Sequence, residues 1–210
     1  MNGPLAPDAF GIVLAGGRGA RLGLGSPKAT AVLGGRTLLE RAVDRMASVS
    51  GVVAVVAAPS IALPSTRAER VPDVPGFRGP LAGLVAGLGA AARAGRARAL
   101  VLGVDFPFAR AEALLGLVTR LGERQAVVPA PGGVWQPLVA AYAVAAAGPL
   151  EALLRSGVRS VIEAVNALGP RVLAEDELLA LPGGLDNFFN VNTKDELDEA
   201  ARRLAATEGP

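Results

Sequence analysis

The 210-residue sequence predicts an α/β protein, three layers deep, built on a doubly wound and mainly parallel sheet. Three observations lead there. Unbroken apolar runs at Ile12–Ala15, Val52–Ala58 and Ala99–Val104 are the pattern of strands covered on both faces, which belong to parallel sheets. Between and after them come stretches with helical spacing, and alternating strands and helices are the signature of this class. A glycine-rich turn, Gly16-Gly17-Arg18-Gly19-Ala20-Arg21-Leu22-Gly23, also follows directly on the first strand.

Taken in order, Ala31–Leu33 is a short extended piece that Gly34-Gly35 turns. Thr37 and Glu40 have the spacing of a capping box, opening a helix to Ser48 with Leu38, Leu39, Ala42, Val43 and Met46 inward. Pro59 and Pro64 force a loop after the second strand, and 71–80 is too rich in Pro and Gly for regular structure. The glycines at 83, 87 and 89 predict a helix over 81–94 that packs unusually close to its neighbours. Helices follow over 111–121 and 145–155, the second weakened at Gly148-Pro149, with strands over 126–128 and 138–144. Ser160 with Glu163 opens a helix to Leu168, and 171–173 forms a short strand. After a loop over 187–192, Thr193 and Glu196 start a terminal helix that turns Leu197, Ala200, Ala201 and Leu204 inward. No repeat or linker divides the chain, so residues 1–210 are expected to form a single domain.

Composition narrows the chemistry. Hydrophobic residues make up 51% and aromatics 4%, so the core is aliphatic. The formal charge of +2 is scattered, without the basic stripe of a nucleic-acid binder. The absence of Cys and His removes thiol and imidazole catalysis, disulfides and Cys/His zinc sites. Any metal would be a hard cation on carboxylates and phosphates, foremost Mg²⁺. The first ten residues lack the basic and apolar regions of a signal peptide, and prolines and glycines break the uncharged stretch 125–150. Together these predict a soluble, cytoplasmic protein, with no membrane and no nucleic acid among its partners.

A glycine turn after a strand brings bare backbone N–H groups close to an anion, and Arg21 and Lys28 add positive charge. Two phosphate motifs are excluded by spacing. Lys28 lies between Pro27 and Ala29, unlike the P-loop lysine, and Leu22 stands where the dinucleotide fingerprint needs Gly or Ala. Asp105 follows the strand over 99–104, on the same sheet edge as the glycine loop, where a carboxylate must be solvated, paired or metal-bound. Transfer at a nucleotide α-phosphorus needs an in-line oxygen and positive charge, but no histidine if the nucleophile is already an ionised phosphate. Arg21, Lys28 and Asp105 are therefore the candidate catalytic residues, with Asp105 the candidate Mg²⁺ ligand.

The turn, read as L-A-G-G-x-G-x-R-L-G with a following Pro-Lys, resembles the signature of nucleotidyltransferases. Further pieces are Pro72-Asp73, Gly79-Pro80-Leu81-Ala82-Gly83-Leu84, Asp105-Phe106-Pro107, Gln136-Pro137-Leu138 and Phe189-Asn190-Val191-Asn192-Thr193. In this order, along nearly the whole chain, they resemble the molybdenum cofactor guanylyltransferases, which join molybdopterin phosphate to the GMP part of GTP. The resemblance implies a Rossmann-like fold of the nucleotide-diphospho-sugar transferase type, with GTP and molybdopterin as substrates and Mg²⁺ as cofactor. It implies nucleotide contacts at Leu14, Ala15, Gly16, Gly17, Gly19, Lys28 and Gly79, guanine recognition by Asp73, and Mg²⁺ on Asp105. Gln136, Asn190 and Asn192 would serve the second substrate, and transient partner proteins of cofactor handling are compatible with it. Two departures bear on the base. The Arg21-to-Lys28 segment is one residue longer than the family spacing, and Val56–Pro59 lacks the family's asparagine. Cytidylyl transfer to molybdopterin or a small phosphorylated alcohol, and a non-catalytic nucleotide-binding partner, stay open as alternatives.

Overall fold

A computed structural model describes residues 5–16 and 26–207. The first half of the chain runs through β1 (Ala6–Leu14), β2 (Val32–Leu33), β3 (Arg36–Thr37), α1 (Leu38–Ala47), β4 (Ser50–Val56) and β5 (Glu69–Val71). Next come α2 (Pro80–Arg93), β6 (Arg98–Gly103), α3 (Ala111–Thr119), β7 (Ala126–Pro129) and β8 (Val139–Ala143). The chain then forms α4 (Ala147–Arg155), α5 (Val161–Asn166), β9 (Arg171–Leu173), α6 (Glu175–Leu179) and α7 (Lys194–Thr207). Seven strands form one sheet in the order β5-β4-β1-β6-β8-β7-β9, and β2 and β3 form a separate hairpin. Strand β8 pairs antiparallel with both neighbours, while every other pairing in the large sheet is parallel.

The period-two alternation of side chains splits the core in two. Ile12, Leu14, Val56, Val101 and Tyr142 point to the side covered by α2, α4 and α5. Val13, Val55, Leu100, Leu102 and Ala141 point to the opposite side, where α1, α3, α6 and α7 contribute buried residues. Helix α2 does approach closely: a Cβ on Gly87 would stand 2.5 Å from Ile12 Cγ2. Replacing that glycine would force a repacking of β1 against the helix.

All three capping sites form. Thr37 and Glu40 bond reciprocally, as do Thr193 and Glu196, and the Ser160 hydroxyl accepts from the Glu163 N–H. Pro149 falls in the first turn of α4, after a short 3-10 turn over Val144–Ala146, so it removes no interior helix bond.

Differences from the sequence expectation cluster at edges. Strand β1 starts at Ala6, not near Ile12, because the ladder is irregular between Ala6 and Phe10 and accommodates Pro7 and Asp8. Gly51 makes the approach possible, since a Cβ there would meet the Pro7 carbonyl oxygen at 2.5 Å. The edge strand β5 and the five-residue helix α6 carry no apolar period long enough to read. Ala201 is exposed, not inward: Ala200 takes the buried position of that turn.

The topology places a crevice. From β1 the chain moves through β4 to β5 on one side, then α2 carries it back to β6 on the other. The carboxyl ends of β1 and β6 therefore flank a switch point, where open α/β sheets bind ligands. They are joined there by the Val104 N–H donating to the Leu14 carbonyl at 3.1 Å.

Candidate active site at the switch point

Strand β1 delivers Leu14, Ala15 and Gly16 to the crevice. Ala15 is buried and its N–H is spent on the Val56 carbonyl at 2.9 Å, so only its carbonyl side can meet a ligand. Gly17, Gly19 and Arg21 lie outside the described residues. The chain re-enters view at Ser26-Pro27 and makes a 3-10 turn over Lys28–Thr30. That turn is pinned three ways: the Thr30 N–H and hydroxyl both donate to the Pro27 carbonyl, and Ala29 is fully buried. Lys28 consequently projects from a rigid base.

Its ammonium donates to Asn192 Oδ1 at 2.6 Å and lies 3.4 Å from Asp105 Oδ2. These partners are 164 and 77 residues away in the chain. The side chains of Lys28 and Asp105 are only 12% and 18% exposed, so the pair is screened far less than a surface ion pair. Asp105 sits in the turn after β6, and Gly103 makes its orientation possible. A Cβ at Gly103 would meet Asp105 Oδ1 at 2.3 Å, so the carboxylate folds back over the strand end. Its own carbonyl accepts the Val191 N–H at 2.8 Å, which ties the loop before α7 to the same corner.

Glu196 completes the arrangement, and its part was legible only as a helix cap. Its Oε2 accepts the N–H groups of both Asn192 (2.6 Å) and Thr193 (2.8 Å). Burial pushes the Glu196 carboxyl up, but those N–H bonds, the Thr193 contact and the nearby Lys28 charge outweigh it and hold the group below its ordinary range. Asn192 is thus set by its main chain before its side chain meets Lys28.

The opposite wall is built from the segment between β5 and α2. Asp73 lines the crevice together with Leu14, Val56, Gly79 and Gly83. Among the described residues no hydrogen bond or ion pair is made to its carboxylate, and partial burial raises its pKa. Gly83 forms the floor: a Cβ there would stand 3.5 Å from Asp73 Oδ1 and 3.3 Å from Leu14 Cδ2. Gly79, at φ 97° and ψ 177°, adopts a conformation confined to glycine and starts α2 through Pro80, so the helix begins at the crevice wall.

Residues expected at the second substrate divide. Asn192 joins the Lys28 corner. Gln136 does not line the crevice; its N–H donates to Pro129 O at 2.8 Å, while Leu138 two positions on does line it. Pro137 between them carries the carbonyl that accepts the buried Tyr142 hydroxyl, and burial raises that hydroxyl's pKa. Asn190 also lies off the crevice wall, between Phe189 and Val191, with its Oδ1 buried and without a hydrogen-bond partner among the described residues.

Among the described residues no group of three or more acidic side chains could hold a metal with protein ligands alone. A single carboxylate beside a polyphosphate site is nevertheless a donor set that Mg²⁺ uses, because it keeps waters and takes oxygens from its substrate. No helix among the described residues is long and apolar enough to cross a membrane.

Comparisons with known proteins give the chain a family. Residues 11–170 match the MobA-like NTP transferase domain. A molybdenum cofactor guanylyltransferase of Desulfosudis oleivorans is 34% identical over 198 residues, covering 93% of this chain and 96% of that protein. One from Acidiphilium cryptum is 38% identical over 207 residues, covering 95% and 97%. The crystal structure of molybdopterin-guanine dinucleotide biosynthesis protein A from Archaeoglobus fulgidus superposes with a TM-score of 0.78 at 26% identity, covering 94% and 99%. At 20% identity and a TM-score of 0.68, covering 93% and 98%, the 2-C-methyl-D-erythritol 4-phosphate cytidylyltransferase of Thermus thermophilus shares the fold. This chain is a nucleotidyltransferase that belongs to the MobA-like NTP transferase family, alongside the molybdenum cofactor guanylyltransferases.

Proposed function

We propose that the protein transfers GMP from GTP to the phosphate of molybdopterin, with release of pyrophosphate, in a Mg²⁺-dependent reaction. The observation that carries this reading is the junction of Lys28, Asp105 and Asn192 at the switch point, where three distant segments meet. An ionised phosphate oxygen of molybdopterin attacks the α-phosphorus of GTP in line, and the bond to the pyrophosphate oxygen breaks. The nucleophile arrives deprotonated, so a chain without histidine lacks nothing for this step.

Lys28 neutralises charge that builds at the α-phosphate. The backbone of Leu14, Ala15 and Gly16, with Gly17, Gly19 and Arg21 beyond them, holds the triphosphate, and Gly79 borders the nucleotide. Asp105 is the residue that would hold Mg²⁺, which supplies charge neutralisation on the phosphates when bound. Charge supports that need: the described crevice lining holds two carboxylates, Asp105 beside Lys28 and Asp73 on the opposite wall, against the one cation Lys28, so a triphosphate requires further positive charge there. Asp73 accepts hydrogen bonds from guanine N1–H and the 2-amino group. Asn192, set beside Lys28, is the second-substrate residue best placed to meet molybdopterin, while Gln136 and Asn190, assigned to it by resemblance, lie off the described crevice wall. The chain works as one nucleotidyltransferase domain, in the cytoplasm, with any partner proteins engaged only transiently.

The cytidylyl alternative rests on the two sequence departures, the longer Arg21-to-Lys28 segment and the missing asparagine in Val56–Pro59, and the likeness to a cytidylyltransferase extends to the fold alone. The test is direct. Protein, molybdopterin and Mg²⁺ are incubated with GTP or CTP, and dinucleotide and pyrophosphate are followed by chromatography and mass spectrometry. Guanine dinucleotide formed in step with pyrophosphate, and abolished by chelation, is expected. Product from CTP in preference to GTP overturns the assignment of the base, and no product from either overturns the reaction.

A further inference from the structure

The segment from β5 to α2 must hold Asp73 still, yet it has little main-chain support. Between Asp73 and Arg78 its one turn bond among the described residues is the Phe77 N–H to the Val74 carbonyl, at 3.0 Å. Gly76 (φ 82°) and Gly79 (φ 97°) interrupt it with left-handed geometry. What anchors it is a ring. Phe77 packs with Val74 against the core on the α2 side, and two guanidinium groups flank it, Arg155 at 5.9 Å and Arg159 at 5.3 Å from the ring centre.

Both cations are held in place independently of the ring. Arg155 donates through Nε and Nη2 to Glu151 Oε1, at 2.9 and 2.7 Å. Arg159 Nη1 donates to the carbonyls of Leu154 (2.8 Å) and Val158 (2.9 Å), at the end of α4. Pre-placed guanidinium groups lose little freedom on meeting an aromatic face, so the attraction is spent on locating the ring. Arg155 and Asp73 also line one groove, together with Val74 and Pro75 of this loop.

We infer that Phe77, gripped by Arg155 and Arg159, is the positioning element that sets the place of Asp73 and thereby the selectivity for the base. This rests on the proposed reading of guanine by Asp73. The clamp is not placed against the nucleotide; it acts through the three loop residues between Phe77 and Asp73, Val74 to Gly76. Loosening it lets the carboxylate swing away from where guanine donors would meet it, while the Lys28 corner stays intact.

The test compares kcat/KM for GTP with that for CTP, and calorimetric binding of each nucleotide with Mg²⁺, in four proteins. These are wild type, Asp73→Asn, Phe77→Ala and the double variant Arg155→Met/Arg159→Met, which keeps the apolar stems. A ratio for two substrates of one preparation does not depend on how much protein is correctly folded, so a purely structural role would leave it unmoved. The clamp predicts that the GTP:CTP ratio falls about fivefold or more in both clamp variants, carried by KM for GTP with kcat nearly unchanged. Unchanged selectivity in Phe77→Ala and the double variant, with selectivity lost in Asp73→Asn, overturns the clamp and leaves Asp73 as the guanine reader. Full selectivity in Asp73→Asn overturns the guanine reading itself, and the clamp with it.

Discussion

At one end of the crevice Lys28, Asp105 and Asn192 are interlocked, each main chain separately pinned by the Thr30 turn, the Val191 bond or Glu196. At the other end Asp73 is half-buried, with no hydrogen-bond or ion-pair partner among the described residues, on a loop that Phe77 and Val74 pack against the core. The difference fits the two tasks proposed for them. Charge developing in a transition state is stabilised best by groups that need no rearrangement when it appears. Base recognition instead gains from an acceptor left unsatisfied, because only a ligand with matching donors relieves its desolvation, and a wrong base leaves it stranded.

The largest effect is expected where the interlocked corner is broken. Lys28→Ala should lower kcat by about 10²- to 10³-fold with the fold retained, as seen when one preorganised donor is removed from an active site. Steady-state kinetics beside a thermal melt checks this, and kcat within a few-fold of wild type would remove Lys28 from the chemistry. Next comes the open corner. Asp73→Asn should cut discrimination between GTP and CTP by roughly 10- to 100-fold, since hydrogen bonds to a charged group are lost, while kcat with saturating GTP changes little.

Acidification sharpens the same contrast. Burial raises the Asp73 pKa above its ordinary value of 3.8, so the folded protein binds this proton more readily than the unfolded chain. Asp73 therefore costs stability as pH rises through the window above 3.8, and Asp73→Asn should melt slightly higher than wild type at neutral pH. GTP affinity should move the other way, weakening as pH falls through the raised pKa in wild type but not through this group in Asp73→Asn. Calorimetric titration across that range decides it.

The smallest effect falls on the support of the interlocked corner. Glu196→Ala removes a helix cap worth about 1 kcal/mol, or roughly 2–4 °C in Tm, and frees the Asn192 main chain. A several-fold loss of kcat that Glu196→Gln largely restores is expected, because the amide oxygen still accepts. The Glu196 pKa is held down in the fold, so its contribution to stability is present above its ordinary 4.5 and is lost as pH falls through the folded value. The Tm difference from Glu196→Ala should shrink accordingly in acid.

Much of this was legible in the sequence because local pattern reports local physics. Apolar runs marked β4 and β6, spacing of Thr and Glu marked the starts of α1 and α7, and a carboxylate after a buried strand marked Asp105. What local pattern does not report is which elements become neighbours. The reversal of β8, the edge strand β5 with two charges in three residues, and the meeting of Lys28 with Asn192 follow from how the sheet closes. The same holds for Glu196, whose spacing announces a cap but not the asparagine it holds beside Lys28. By itself the sequence determined the buried faces, the helix starts and the residue types available for chemistry, because burial and capping are set within a few residues. Only the tertiary structure decided that Lys28 would be paired while Asp73 meets no partner among the described residues, since a partner 164 residues away is supplied by topology and not by spacing.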